Sequence, residues 1–109
     1  MELIETFLLR TQQFGQLRYP YSFGWICMMK GKRMFGGYKN VDKDILLLWL
    51  IVSPQIVEDA LESGFQKFDF GKTWVETEIT GEEDLDRVWP FINNAVNYSE
   101  ERSLGKKKK

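Results

Sequence analysis

The chain has no histidine and a single cysteine, Cys27, among its 109 residues. Without histidine, the serine–histidine and cysteine–histidine pairs that activate many enzyme nucleophiles cannot form within the chain. A single cysteine excludes an internal disulfide, so we expect a reducing, cytoplasmic location and a buried strand position for Cys27. Clusters with the spacing of metal ligands and glycine-rich phosphate loops are also missing. We therefore predict no catalytic residue, no metal site and no cofactor.

Long apolar runs are missing as well. The longest run, Ile45 to Val52, has eight residues, whereas a membrane-spanning helix needs about 20. We therefore expect no membrane partner, and the N-terminus does not show the basic and apolar segments of a secretory signal. The length predicts one domain at residues 1–100, and the polar composition of 101–109 predicts a flexible lysine-rich tail.

Positive charge is scarce in most of the chain and is concentrated towards its two ends. Residues 1–40 contain six basic and two acidic residues, a net charge of +4. Residues 41–105 contain five basic and fourteen acidic residues, a net charge of −9, and Lys106 to Lys109 add four positive charges. This acidic body argues against general nucleic-acid binding, because phosphate neutralisation provides most of that affinity.

The chain does contain a regular succession of amphipathic segments. Helical periodicity predicts helices, and apolar residues in alternation or in a continuous run predict strands. The predicted helices are 2–14, one that begins at Ser53-Pro54 and ends at Gly64, and 82–98, in which Pro90 predicts a kink or a division. The predicted strands are 22–29, 33–39, 45–52, 65–70 and 73–80. Strand 45–52 is apolar on both faces, so we expect the second sheet face to be partly covered.

The order α-β-β-β-α-β-β-α predicts an α+β fold with two layers. A five-stranded, mostly antiparallel sheet with helices on one face is the natural arrangement for this order. This order resembles the secretion-chaperone-like fold over nearly the whole chain. The segment Arg33-Met34-Phe35-Gly36-Gly37-Tyr38 resembles the early hairpin of TfoX N-terminal domains. The tryptophan-bearing strand at 73–79 and the acidic turn before the helix at 84–88 are closer to YjbR-like domains. The resemblance implies nucleic-acid binding as one alternative and implies no particular site residue.

Two candidate surfaces lie on the predicted hairpin around residue 31. Gly36 and Gly37 interrupt the second strand, which is typical either of a bulge or of a ligand approaching bare backbone. Lys30, Lys32 and Arg33, with Lys39 further along, predict a basic hairpin that is either a solvated turn or a contact for phosphate or an acidic partner.

Aromatic residues supply another candidate surface. Trp25 alternates with Phe23 and Cys27 in one predicted strand, Trp74 lies in another, and Tyr19, Tyr21 and Trp49 add to the aromatic content. Such residues fill a core, line a ligand pocket or form a protein interface.

Two carboxylates, Glu76 and Glu78, share a strand face with Trp74 and are about 7 Å apart by strand geometry. This spacing suits a glycosidase pair or a metal pair, and it also occurs on an ordinary solvated strand face.

Our leading hypothesis from the sequence is a non-catalytic binding or interaction domain that contacts a protein partner or itself. The alternative is a nucleic-acid-binding protein that uses the basic hairpin at 30–39 and the lysine tail. A third hypothesis, an enzyme or metal protein that uses Glu76 and Glu78, rests on the carboxylate pair alone.

Overall fold

A computed structural model describes residues 2–107, with side chains for 2–102. The fold is α+β, with three helices and one open antiparallel sheet. The helices are α1 (Leu3–Thr11), α2 (Val57–Glu62) and α3 (Glu83–Lys107). The strands are β1 (Tyr21–Ser22), β2 (Trp25–Lys30), β3 (Arg33–Asp42), β4 (Ile45–Ile51), β5 (Gln66–Lys67) and β6 (Trp74–Thr80). The predicted α+β class is confirmed.

The sheet has six strands, in the order β1-β2-β3-β4-β6-β5, so the prediction of five strands is wrong. The extra strand comes from the segment predicted as one strand at 22–29. Phe23 and Gly24 have positive φ angles of 55° and 82° and form a tight turn. This turn folds Tyr21–Ser22 back onto Trp25 and Ile26. The alternating residues on its two sides therefore lie in two strands, where the alternation predicted one.

The first helix is shorter than predicted, because residues 12–14 form a separate 3-10 turn. Leu3, Phe7 and Thr11 are its buried residues and repeat every four positions, as an amphipathic helix requires. Gly15 follows with φ of 92°, a conformation that glycine adopts without steric cost.

The connection after β4 begins as predicted at Ser53-Pro54, but a 3-10 turn at Pro54–Ile56 precedes α2. Ser53 and Asn94 exchange two hydrogen bonds that fix this start against α3. The backbone N–H of Ser53 donates to Oδ1 of Asn94 at 2.8 Å, and Nδ2 of Asn94 donates to Oγ of Ser53 at 3.0 Å. Gly64, with φ of 101°, follows the end of α2, as predicted.

The last helix, α3, is one helix that contains Pro90, so of the two alternatives predicted there, a kink or a division, the division does not occur. Pro90 removes the hydrogen bond that residue 90 would donate to the carbonyl of Asp86. Both residues are exposed, so water can replace that bond. The first seven residues of the tail predicted at 101–109 belong to α3, and Lys108 and Lys109 lie outside the described residues.

All three helices contribute buried side chains to one large apolar cluster with the sheet. Representative members are Phe7 from α1, Ala60 from α2 and Ile92 from α3, which pack with Leu48 and Val75 of the sheet. A second, smaller cluster has Cys27, Trp49 and Ile51 as its buried members. Among the described residues, no helix is long and apolar enough to cross a membrane.

Candidate functional site

The cross-strand register separates the two faces of the sheet. Met28, Gly36, Leu50 and Val75 follow one another across β2, β3, β4 and β6, and the face they define carries the large cluster. The adjacent row contains Cys27, Gly37, Trp49 and Glu76 and belongs to the opposite face, because side chains alternate along a strand. We call this second surface the aromatic face.

The aromatic face contains an apolar cavity of about 480 Å³. Cys27 and Trp49 lie in its floor, the β1–β2 hairpin lines one side, and Phe68 and Phe70 from the segment between β5 and β6 line the other. Trp25 and Trp74, which the sequence analysis gave as candidate binding residues, both line this cavity. Its volume lies within the range of ligand-binding pockets.

Stacked aromatic rings form the cavity lining. The rings of Trp49 and Trp74 are nearly parallel, at 3°, and their centroids are 4.7 Å apart. The ring of Phe68 lies 5.9 Å from Trp49 and 5.9 Å from Trp25, so it connects the two ends of the lining. Rings with this number of mutual contacts are held in defined orientations, which gives the cavity a preformed shape.

Two glycines make room for the tryptophans. A Cβ on Gly37 would lie 2.5 Å from Cε2 of Trp49, and a Cβ on Gly71 would lie 2.5 Å from Cδ1 of Trp74. Nε1 of Trp49 is buried and has no hydrogen-bond partner among the described residues. The close approach predicted at Gly37 is therefore an approach of a tryptophan ring. The register of β2 and β3 shifts beside Phe35, so the irregularity lies next to Gly36.

Exposed aromatic residues surround the cavity. Tyr21, Phe23 and Phe70 are 75%, 96% and 70% exposed, respectively. Phe23 and Phe70 were predicted as strand residues, and neither was predicted to be a site residue. The sequence signal that could have placed Phe23 in a turn is Gly24, which follows it within the alternating run, because glycine readily adopts the positive φ angle that a tight turn requires.

Opposite charges lie on the two sides of the aromatic face. Nζ of Lys39 lies 4.6 Å from the centroid of the Trp25 ring on β2, a cation–π contact. Glu76 and Glu78 are on β6. Burial raises the pKa of Glu76, and the nearby charge of Asp69 raises it further. Burial also raises the pKa of the Cys27 thiol, which keeps it protonated and weakly nucleophilic.

The basic hairpin is directed away from the aromatic face. Nζ of Lys30 forms an ion pair with Glu100 of α3 at 2.7 Å, and Arg102 donates to the carbonyl of Met34 at 3.0 Å. Lys32 and Arg33 line a shallow groove next to Glu100. Lys39 is six residues further along β3 and about 20 Å from Arg33 by strand rise, so it does not join this group.

The carboxylates of β6 do not gather further metal ligands. Glu76 and Glu78 alternate with buried Val75 and Ile79, as the sequence predicted. Within residues 2–102, no group of three or more histidine, cysteine, aspartate or glutamate side chains could hold a metal ion.

Comparisons of the chain with protein-family models, with curated proteins and with solved structures found no match.

Proposed function

We propose that this chain is a non-catalytic binding domain and that the aromatic face is its binding surface. The large cluster on the other face takes buried residues from all three helices, which supports a two-layer arrangement with one sheet face left for a partner. Among residues 2–102, only Tyr98 of α3 packs against the cluster of the aromatic face from a helix. A cytoplasmic location, where the Cys27 thiol stays reduced, belongs to the same proposal.

The conformation of Phe23 is the observation that carries the proposal. Its φ of 55° lies in the left-handed region, which costs an L-residue about 1–2 kcal/mol. Its side chain is 96% exposed, so folding of the isolated chain gains almost no burial in return. Burial of a phenylalanine against a partner gains about 1.5–3 kcal/mol, which accounts for the residue at this position.

Phe23→Asn tests the proposal by separating stability from binding. Asn followed by Gly is the preferred sequence for a turn with two positive φ angles, so we expect the variant to be more stable in urea unfolding by part of the roughly 1–2 kcal/mol that this conformation costs phenylalanine. We also expect weaker binding of the apolar probe 1-anilinonaphthalene-8-sulfonate, measured by fluorescence at submicromolar protein. Phe70→Asn should weaken probe binding as well.

Leu9→Gln is the matched control, because Leu9 is 52% exposed but lies on α1 and not on the aromatic face. It should leave probe binding unchanged. Probe binding that is undetectable in the wild type, or that is equal in the wild type and in the Phe23 and Phe70 variants, would show that the aromatic face is not a binding surface.

Nucleic-acid binding is a second candidate, favoured by the convergence of two basic segments. The hairpin residues Lys30 and Arg33 lie beside the last turns of α3, whose backbone continues about 7 Å beyond Arg102 to Lys107. The hairpin and the start of the lysine tail are therefore at one end of the molecule. The resemblance to YjbR-like and TfoX N-terminal domains remains a hypothesis that agrees with this candidate.

Binding to a labelled DNA duplex, measured by anisotropy over a range of salt concentrations, tests this candidate. We expect affinity to fall with salt and to fall further in Lys32→Glu, while Lys43→Glu in the β3–β4 turn has a smaller effect. A lack of binding at low salt would exclude this role.

A further inference from the structure

We infer that the partner of the aromatic face is a second copy of this chain, packed face to face about a twofold axis that runs along the strands. This inference rests on the proposed function and adds the identity and orientation of the partner.

The charge distribution supports this orientation. In the strand order, β2 and β6 lie at equal distances from the boundary between β3 and β4. A twofold axis placed between the two copies and parallel to that boundary brings β2 of each copy opposite β6 of the other. Nζ of Lys39 lies over the ring of Trp25 on β2. Lys39 therefore faces the β6 carboxylates of Glu76 and Glu78 of the second copy. Symmetry forms this contact twice.

The other face-to-face arrangement is less favourable. A twofold axis perpendicular to the strands would place β2 opposite β2 and β6 opposite β6. If that axis crosses the sheets at the row that contains Lys39 and Glu78, Lys39 faces its own symmetry copy and Glu78 faces its own, and at any other level neither charge meets its opposite. Like charges that oppose each other across an interface cost several kcal/mol, so the charges select the axis along the strands.

The exposed aromatic residues of the face also suit self-association. Tyr21 and Phe23 lie on one side of the cavity and Phe70 on the other, so the axis along the strands brings the β1–β2 hairpin of each copy opposite the Phe70 segment of the other. An aromatic side chain buries about 150–250 Å². These three residues would therefore supply on the order of 500 Å² of the roughly 800 Å² that each partner buries in a stable complex.

Charge reversal followed by analytical ultracentrifugation over a series of concentrations tests the inference. We expect the wild type to dimerise, and Lys39→Glu and the double variant Glu76→Lys/Glu78→Lys each to dimerise at least about tenfold more weakly, because like charges then face each other. An equal mixture of the two variants should recover dimers, since each copy then presents the charge complementary to the other. Lys32→Glu and Glu58→Lys, which reverse exposed charges on the basic hairpin and on α2, should dimerise like the wild type.

Recovery in the mixture is the decisive result, because loss of the Lys39–Trp25 contact or partial unfolding would not be repaired by the second variant. A wild type that stays monomeric at its highest soluble concentration would overturn the inference, as would variants that dimerise normally or a mixture without recovery. The proposed function would survive these results if the wild type still bound the apolar probe through Phe23 and Phe70. It would fail separately if the probe did not bind.

Discussion

Replacement of Gly37 by alanine tests whether the aromatic face depends on the contact between β3 and the Trp49 ring. A Cβ at position 37 would lie 2.5 Å from Cε2 and 2.7 Å from Cζ2 of Trp49 and closer still to Nε1. The ring cannot move freely, because it is 3% exposed and stacks on Trp74. Overpacking of this kind costs about 1–3 kcal/mol, so we expect Gly37→Ala to lower the free energy of unfolding by that amount.

A second substitution shows whether the ring is the cause. Trp49→Leu removes Nε1, Cε2 and Cζ2, the three atoms nearest the added Cβ. In that background Gly37→Ala should be neutral or should stabilise by about 0.4–1 kcal/mol, because alanine restricts the unfolded chain more than glycine does. The cost of Gly37→Ala should therefore disappear or change sign with the residue at position 49, which corresponds to a coupling energy of about 1–4 kcal/mol.

Gly36→Ala is the matched control on the other sheet face. A Cβ there would lie 2.6 Å from the carbonyl oxygen of Trp49, a backbone atom that Trp49→Leu retains. Its cost should therefore be similar in both backgrounds. Urea unfolding followed by far-ultraviolet circular dichroism at one fixed protein concentration measures all six chains. An equal cost of Gly37→Ala with Trp or Leu at position 49 would refute the reasoning.

Two further predictions concern the helix at the opposite face. Nε of Arg87 donates to Asp84 at 2.6 Å and the backbone N–H of Thr80 donates to it at 3.1 Å, and these bonds lower the pKa of Asp84 despite its partial burial. The resulting stabilisation is present at pH values above the unfolded-state pKa of Asp84, and it is lost as the pH falls through the lower folded-state pKa. Asp84→Asn lacks this contribution. As the pH is lowered, the urea midpoint of the variant should therefore fall less than that of the wild type. Pro90→Ala restores a helical hydrogen bond to Asp86 and should raise the thermal midpoint by several degrees, corresponding to about 1–3 kcal/mol, and an unchanged midpoint would contradict this.

Much of the fold follows from local patterns. The positions of β3, β4 and β6, the alternation of Val75 and Ile79 and the ends marked by Gly15 and Gly64 depend on side-chain period and on backbone freedom, which neighbouring residues determine. The error in strand number arose where two local signals competed, because at Phe23 the alternation favoured a strand while the following glycine permitted a turn. At Pro90 the sequence left a kink or a division open, and the apolar stripe that packs on the sheet keeps α3 a single helix.

The candidate site was less predictable. Trp25 and Trp74 were selected for their chemistry, but their position on one cavity depends on a register that joins four strands. Phe68 and Phe70 alternate around Asp69 and were predicted as strand residues, whereas β5 ends at Lys67 and the segment that follows lines the cavity. The sequence grouped Lys39 with the basic hairpin, whereas the extended course of β3 carries it to the Trp25 ring.

The sequence by itself therefore determined the fold class, most of the elements and the absence of histidine-dependent chemistry, because these depend on residue type and short-range spacing. Only the tertiary structure decided that Gly37 accommodates Trp49, that the aromatic residues enclose one cavity and that the basic hairpin meets the end of α3. These contacts join residues far apart in the chain, and the register of the strands and the packing of the helices determine which residues meet.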